Sequence, residues 1–169
     1  MPRIEKTNTN DLAWAPKQSP SGQFSLQQQD VSLALGGKKD RGVEAGGHPF
    51  DVSRVRLAAG KRNWPLHAHS NQWECFLITA GTGRWRTLDE ADVEREQAVG
   101  PGDCLLCPPG LAHCLRAGSD APLEYWLIAT NQPSDSTHYP DSGKFFLKPQ
   151  RVMLRGEATA DYWDGEDEA

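Results

Sequence analysis

Apolar residues in this chain recur at alternate positions in short runs, and glycine, proline, asparagine and aspartate separate the runs. Alternation of period two marks strands with one buried face, and turn residues mark where they end. Phe50 to Leu57 alternates through Phe50, Val52, Val55 and Leu57, with a break in phase that allows a bulge. Trp73 to Ala80, Gly83 to Thr87, Val93 to Gln97, Cys104 to Cys107, His113 to Ala117 and Leu123 to Thr130 continue the series. Many short strands between turns predict an all-β sandwich or barrel. No long amphipathic helix and no internal repeat is visible. Residues 1 to 22 show no periodicity and are expected to form an extended arm anchored by Trp14, with a first strand around Val31 to Leu35. Beyond Asn131 the chain is rich in Pro and Ser, and short strands are expected at Lys144 to Leu147 and Val152 to Leu154.

Two runs are apolar on both faces. Trp73, Cys75 and Leu77 lie opposite Glu74, Phe76 and Ile78, and neither face of Leu123 to Ile128 is polar throughout. A strand buried on both sides needs a second cover. The N-terminal arm, the C-terminal segment or a second copy of the chain could supply it, and a homodimer is the preferred expectation.

The candidate chemistry lies in two blocks. The first carries Gly60, His67, His69, Glu74 and Gly81; the second carries Gly102, Pro108-Pro109-Gly110 and His113. His67 and His69 share one face of a strand. Glu74 is at an odd offset from His69, so the chain must bend between them, and Ser70-Asn71-Gln72 suits a turn. Glu74, Phe76 and Ile78 would then share the inner face. Pro109-Gly110 suits a type II turn that delivers His113, with Leu115 on the same face. Three imidazoles and one carboxylate suit a divalent transition metal (Mn, Fe, Co, Ni, Cu or Zn) better than Mg or Ca. An octahedral ion held by these four would keep two positions open.

The two blocks resemble the two motifs of the cupin superfamily: glycine, His-x-His, a four-residue gap, glutamate and glycine, then glycine, Pro-x-Gly and histidine. One extra residue separates Gly60 from His67, and Ala117 stands where the second motif often has asparagine. The resemblance covers roughly residues 48 to 132. It implies a small antiparallel jelly-roll β-barrel with the metal inside, flanked by an arm over 1–47 and a C-terminal extension over 133–169. His138-Tyr139-Pro140-Asp141-Ser142-Gly143-Lys144 and Asp161-Tyr162-Trp163-Asp164-Gly165-Glu166 resemble a group of small bacterial single-domain cupins labelled as sugar-phosphate isomerases.

Composition narrows the remaining choices. Formal net charge is −5, and the stretch from Asp161 to Ala169 contributes five acidic residues and no basic one. The rest of the chain is neutral and shows no basic stripe of the kind nucleic acids require. The bland reading of the tail is a solvated terminus, with Tyr162 and Trp163 packing on the body. No apolar run is long enough to span a membrane, and the start lacks an apolar signal core, so a cytoplasmic protein is expected. Cys104-x-x-Cys107 has no second pair, and its side chains should point to opposite faces. All four cysteines (Cys75, Cys104, Cys107 and Cys114) read as reduced thiols packing against the outer layer.

These features predict a metal-dependent enzyme acting on a small polar molecule, with isomerisation of a sugar or sugar phosphate as the leading reaction. An Fe(II) dioxygenase and a cupin that binds a small molecule without chemistry are the alternatives. The pocket is expected around Phe76, Ile78, Leu115, Trp85 and Arg62. No base is identified; His48 and His138 qualify by residue type only. Arg62, Arg84, Arg86 and Arg116 could include an anion clamp.

Overall fold

The computed structural model describes residues 5–39, 41, 43–156 and 163. Thirteen strands are found among them: β1 (Ala15–Gln18), β2 (Ser25–Asp30), β3 (Phe50–Leu57), β4 (Ala68–His69), β5 (Glu74–Ala80), β6 (Gly83–Leu88), β7 (Glu94–Val99), β8 (Cys104–Cys107), β9 (Ala112–Ala117), β10 (Leu123–Thr130), β11 (Ser136–Tyr139), β12 (Lys144–Leu147) and β13 (Val152–Arg155). One turn of α-helix, α1 (Val31–Ala34), interrupts them. The fold is all-β, as the alternation predicts. None of the described helices is long and apolar enough to cross a membrane.

The strands form three antiparallel sheets of jelly-roll character. One runs β1-β2-β3-β10-β5-β8, one β7-β6-β9 and one β13-β12-β11-β4. Sequence-distant strands lie side by side: β3 and β5 flank β10, and β9 pairs with β6. The core fills the space between the first two sheets. Val55, Leu57, Phe76, Ile78, Leu105, Leu123 and Tyr125 enter from one side and Leu115 and Ala117 from the other, all nearly inaccessible. Burying a side chain of this size contributes roughly 1.5–3 kcal/mol.

The N-terminal arm departs from the expectation. Its ordered strands are β1 and β2, and Val31 to Ala34 is helical instead of a first strand. The sequence Ser25-Leu26-Gln27-Gln28-Gln29-Asp30 has almost no apolar pattern, yet it is paired along β3. Two of its three glutamines are buried with partners: Gln28 Nε2 donates to Ser53 Oγ at 2.8 Å, and Gln29 Nε2 to the carbonyls of Thr9 and Leu12 at 2.8 and 2.6 Å. A hydrogen-bonded amide can be buried where an unpaired one cannot, so polarity here hides a core strand. Trp14 does anchor the arm, stacking under Arg56 and Arg54 at 4.6 and 5.3 Å from the ring centre. β3 pairs with β10 without a register shift. The irregularity falls instead between Glu124 and Tyr125, where β10 meets β5.

The second departure is β11. Ser136–Tyr139 carries no apolar alternation, but it bridges β12 and β4. The extension after Asn131 is therefore laid against the strand that carries His69. The acidic stretch from Asp161 lies outside the described residues except for Trp163. That side chain is 61% exposed.

Candidate metal centre

The two blocks meet because their backbones pair. His67 and His113 form an antiparallel bridge, with His113 N–H donating to the His67 carbonyl at 2.9 Å and the reverse bond at 3.3 Å. The Pro108–Leu111 turn is closed by Leu111 N–H to Pro108 C=O at 3.2 Å, with Gly110 at φ +85°. A positive φ at the third position is what a type II turn requires. Gly110 N–H then donates to the His69 carbonyl at 2.9 Å. The chain bends at Ser70–Gln72 as the odd offset demands, and β5 opens with Glu74. Gly81 ends β5 at φ +77°, and a Cβ there would overlap the Pro122 carbonyl oxygen. That approach explains the glycine closing the first block.

His67, His69, Glu74 and His113 are all buried. Donor atoms of His67, Glu74 and His113 lie within 4.8 Å of one another. His113 Nε2 is 2.9 Å from Glu74 Oε2, and His69 Nε2 is 3.7 Å from Glu74 Oε1. The outer ring nitrogens are fixed by acceptors: His67 Nδ1 faces the Pro65 carbonyl at 2.8 Å, His113 Nδ1 the Leu111 carbonyl at 3.0 Å, and His69 Nδ1 the Asp135 carboxylate at 2.6 Å. An acceptor on Nδ1 demands Nδ1–H and leaves Nε2 with the lone pair, the arrangement usual for metal-ligating histidine. Glu74 Oε1 also accepts from Gln72 Nε2 at 3.0 Å. This donor set fits a divalent transition metal ion.

Charge in the cluster is strongly organised. Burial opposes ionisation of Glu74, but its hydrogen bond to His113 and the charge of that ring outweigh burial and lower its pKa to about 2. Burial also works against a charged His113, yet its contacts with Cys107 and Glu74 raise it to about 10. His67 is lowered to about 4, by burial first and by the nearby His113 charge second. These shifts favour a proton shared between His113 and Glu74 when no metal is bound, and a neutral His67.

Asp135 is the residue that sequence reading misses. It has no accessible surface and accepts from four groups: His69 Nδ1, Asn71 N–H at 3.0 Å, Ser70 Oγ at 3.3 Å and Gln72 N–H at 3.4 Å. One carboxylate thus shapes the turn and orients a histidine. Nothing in Gln132-Pro133-Ser134-Asp135 distinguishes it from any turn aspartate.

A cavity of about 290 Å³ opens onto the cluster, lined by His67, His69 and Glu74 together with Thr137, Tyr139 and Lys148, and by Trp64, Pro65 and Phe146. Thr137 and Tyr139 alternate inward from β11, and the Tyr139 ring stacks 6.1 Å from that of His67. Burial raises the Tyr139 phenol above its ordinary pKa. The residues expected around the pocket lie elsewhere. Phe76, Ile78 and Leu115 are packed beneath the cluster in the closed core, with Phe76 5.7 Å from the His113 ring. Trp85 packs against that core, and Arg62 bridges to Arg116, so neither lines the cavity. The walls come instead from the C-terminal extension, whose polar strand carries no alternation to announce it. His138 points away and stacks on Phe145 at 4.5 Å, and His48 abuts Gly37.

All four cysteines are free thiols. Cys104 is exposed and Cys107 buried, as an offset of three on a strand requires. Cys107 differs from the expectation in facing inward: it pairs with Glu74 across β5–β8 and touches His113.

Residues 53–129 match the family model "Cupin domain". No curated protein matches the sequence. Among solved structures, a candidate sugar phosphate isomerase from Acidithiobacillus ferrooxidans aligns over 90% of this chain and 91% of its own, with TM-score 0.74 and 14% identity. A sugar phosphate isomerase of the cupin superfamily from Silicibacter pomeroyi aligns over 95% and 98%, with TM-score 0.69 and 20% identity. Oxalate decarboxylase from Bacillus subtilis aligns over 77% of this chain and 30% of its own, with TM-score 0.54 and 19% identity. At these identities the solved structures establish shared fold, and with the matched model they make residues 53–129 a cupin domain within a small cupin-fold protein.

Proposed function

We propose that this cupin is a metal-dependent enzyme acting on a small polar substrate, with isomerisation of a sugar or sugar phosphate as its reaction. One observation supports the reading: donor atoms of His67, His113 and Glu74 lie within 4.8 Å of one another, with His69 Nε2 3.7 Å from Glu74, beside a cavity the size of a small metabolite. His67, His69, Glu74 and His113 would hold one divalent ion, from among zinc, manganese, iron and nickel. Bound there, such an ion supplies Lewis acidity to an oxygen of the substrate.

The chain's own groups divide the remaining work. Asp135 and the carbonyls of Pro65 and Leu111 hold the imidazoles in one tautomer. Lys148 offers the cavity a cation, and Thr137 offers a hydroxyl. Tyr139 is the protic group best placed to exchange a proton with a bound molecule, because it lines the cavity while both non-ligand histidines do not. Trp64, Pro65 and Phe146 give an apolar rim that restricts water. The isomerase labels of two proteins with the same fold support the substrate class by analogy alone.

We also propose that the chain forms a homodimer. Leu106, Cys75 and Ile128 stand side by side across β8, β5 and β10 on the outer face of the large sheet. Leu106 and Ile128 are 55% and 44% exposed, and Trp73 and Leu77 extend the patch. Among the described residues, Trp14 of the arm covers the Arg54–Arg56 end of this face. A contiguous apolar patch favours a partner surface.

Metal per chain, measured by elemental analysis on untagged protein purified without chelator, is the first test. Near-stoichiometric zinc, manganese or nickel, followed by turnover of a sugar phosphate, would support the isomerase. Iron with oxygen consumption would replace that reading with a dioxygenase. Tight binding of a metabolite without turnover would make the protein a binding cupin, and failure to take up any metal would overturn the proposal.

A further inference from the structure

We infer a second ligand site, for a small multivalent oxyanion, in the row of arginines formed by Arg84, Arg116 and Arg62 on the face of β9 opposite His113. The inference is independent of the reaction at the metal centre. Arg84 pairs with Arg116 across β6–β9, and Arg116 pairs in turn with Arg62. Cross-strand partners project from the same face, and neighbouring strands are about 4.8 Å apart. Three arginines thus occupy neighbouring backbone positions on one face, each carrying a positive charge. Like charges directly opposite each other destabilise a sheet.

The sheets around this row neutralise most of their arginines, although Arg155 of β13 also stands without a carboxylate among the described residues. Arg54 and Arg56 share Glu124 at 3.1 and 2.8 Å, Arg86 is gripped by Glu94 and Asp141 at 2.8 and 2.7 Å, and Arg95 reaches Asp89 at 3.0 Å. Among the described residues, Arg62, Arg84 and Arg116 have no carboxylate within 4.0 Å. The nearby Ser119 hydroxyl is itself bound to Asp120, at 2.7 Å.

The row also borders a concavity. A cavity of about 430 Å³ is lined by Arg84 and Arg116 with Gly60, Gly83, Gly118 and Ser119, and shares no residue with the cavity over the metal centre. At Gly60 even an added Cβ would meet nothing within 4 Å. Small residues keep the floor low, and forked donors at its edge match phosphate or carboxylate oxygens in pairs. Adjacent cations on neighbouring strands suit a ligand with two or more anionic groups, such as a pyrophosphate or a polycarboxylate.

Calorimetric titration of the full chain with pyrophosphate and with citrate, at low and at matched ionic strength, tests this site. Saturable binding of either, weakened about tenfold or more in Arg84→Gln/Arg116→Gln, is the expected result, and the preferred titrant identifies phosphate or carboxylate as the natural group. Without added anion, Arg84→Gln should melt higher than the parent at low salt, since it relieves repulsion. Binding that survives in the double variant, or that is lost in His113→Ala instead, would overturn the site. So would an oligonucleotide that binds where pyrophosphate does not, or the absence of saturable binding by the parent.

Discussion

His69 Nδ1 and the Asp135 carboxylate meet at 2.6 Å although 66 positions separate them in the chain. The contact joins the cupin domain to the strand that walls its cavity, because Asp135 sits just before β11 and β11 pairs with β4. An Asp135→Ala change removes this anchor and leaves the Asn71 and Gln72 amides without their acceptor. Metal affinity should fall about 10–100-fold. Competition with a chromophoric chelator would measure it, and an unchanged affinity would show that His69 needs no such support.

Alanine at His69 or Glu74 should lower bound metal well below one per chain while the strand content by circular dichroism stays intact. The core beneath the cluster, around Phe76 and Tyr125, does not depend on either side chain for its packing. Full metal occupancy in either variant would refute the ligand set.

The metal-free protein should be most stable near pH 6.5. Neutral His67, lowered to about 4, contributes stability above its unfolded value of 6.5 and loses it as pH falls toward 4. Charged His113, raised to about 10, contributes below 6.5 and loses its effect as pH rises toward 10. Glu74, lowered to about 2, adds a further loss as pH drops from 4.5 toward 2. Denaturant titrations across pH would trace the curve. Metal must displace the proton that His113 shares with Glu74, so binding should release about one proton and tighten as pH rises. Calorimetry in buffers of different ionisation enthalpy counts that proton.

Tyr139→Phe should leave metal content unchanged and reduce kcat on whatever sugar phosphate is turned over, by about 10²-fold if the phenol carries a proton in the reaction. Lys148→Met should act mainly on KM. Equal metal content with undiminished turnover in both variants would remove these residues from the chemistry.

Gly81→Ala should destabilise the fold by about 1–3 kcal/mol, because it forces a side chain into a left-handed backbone and against the Pro122 carbonyl. The melting temperature would report it. For the quaternary proposal, Leu106→Glu should give a monomer in sedimentation where the parent sediments as a dimer.

The sequence determined the strands whose burial is apolar and the candidate ligands whose spacing is local. Phe50–Leu57, Cys104–Cys107, Leu123–Thr130 and Lys144–Leu147 were readable to the residue, because short apolar or alternating runs are bounded there by turn residues. The meeting of His67, Glu74 and His113, with His69 beside them, was readable because strand period and turn chemistry fix where neighbouring side chains point. The tertiary structure decided what polar residues do once buried. Gln28, Gln29 and Asp135 look like surface residues and become interior ones because distant groups hydrogen-bond to them. The cavity walls at Thr137, Tyr139 and Lys148, and the abutting arginines 62, 84 and 116, likewise depend on pairing between strands far apart in sequence. Hydrogen bonds and cross-strand contacts form between residues at arbitrary separation, so no local pattern announces them.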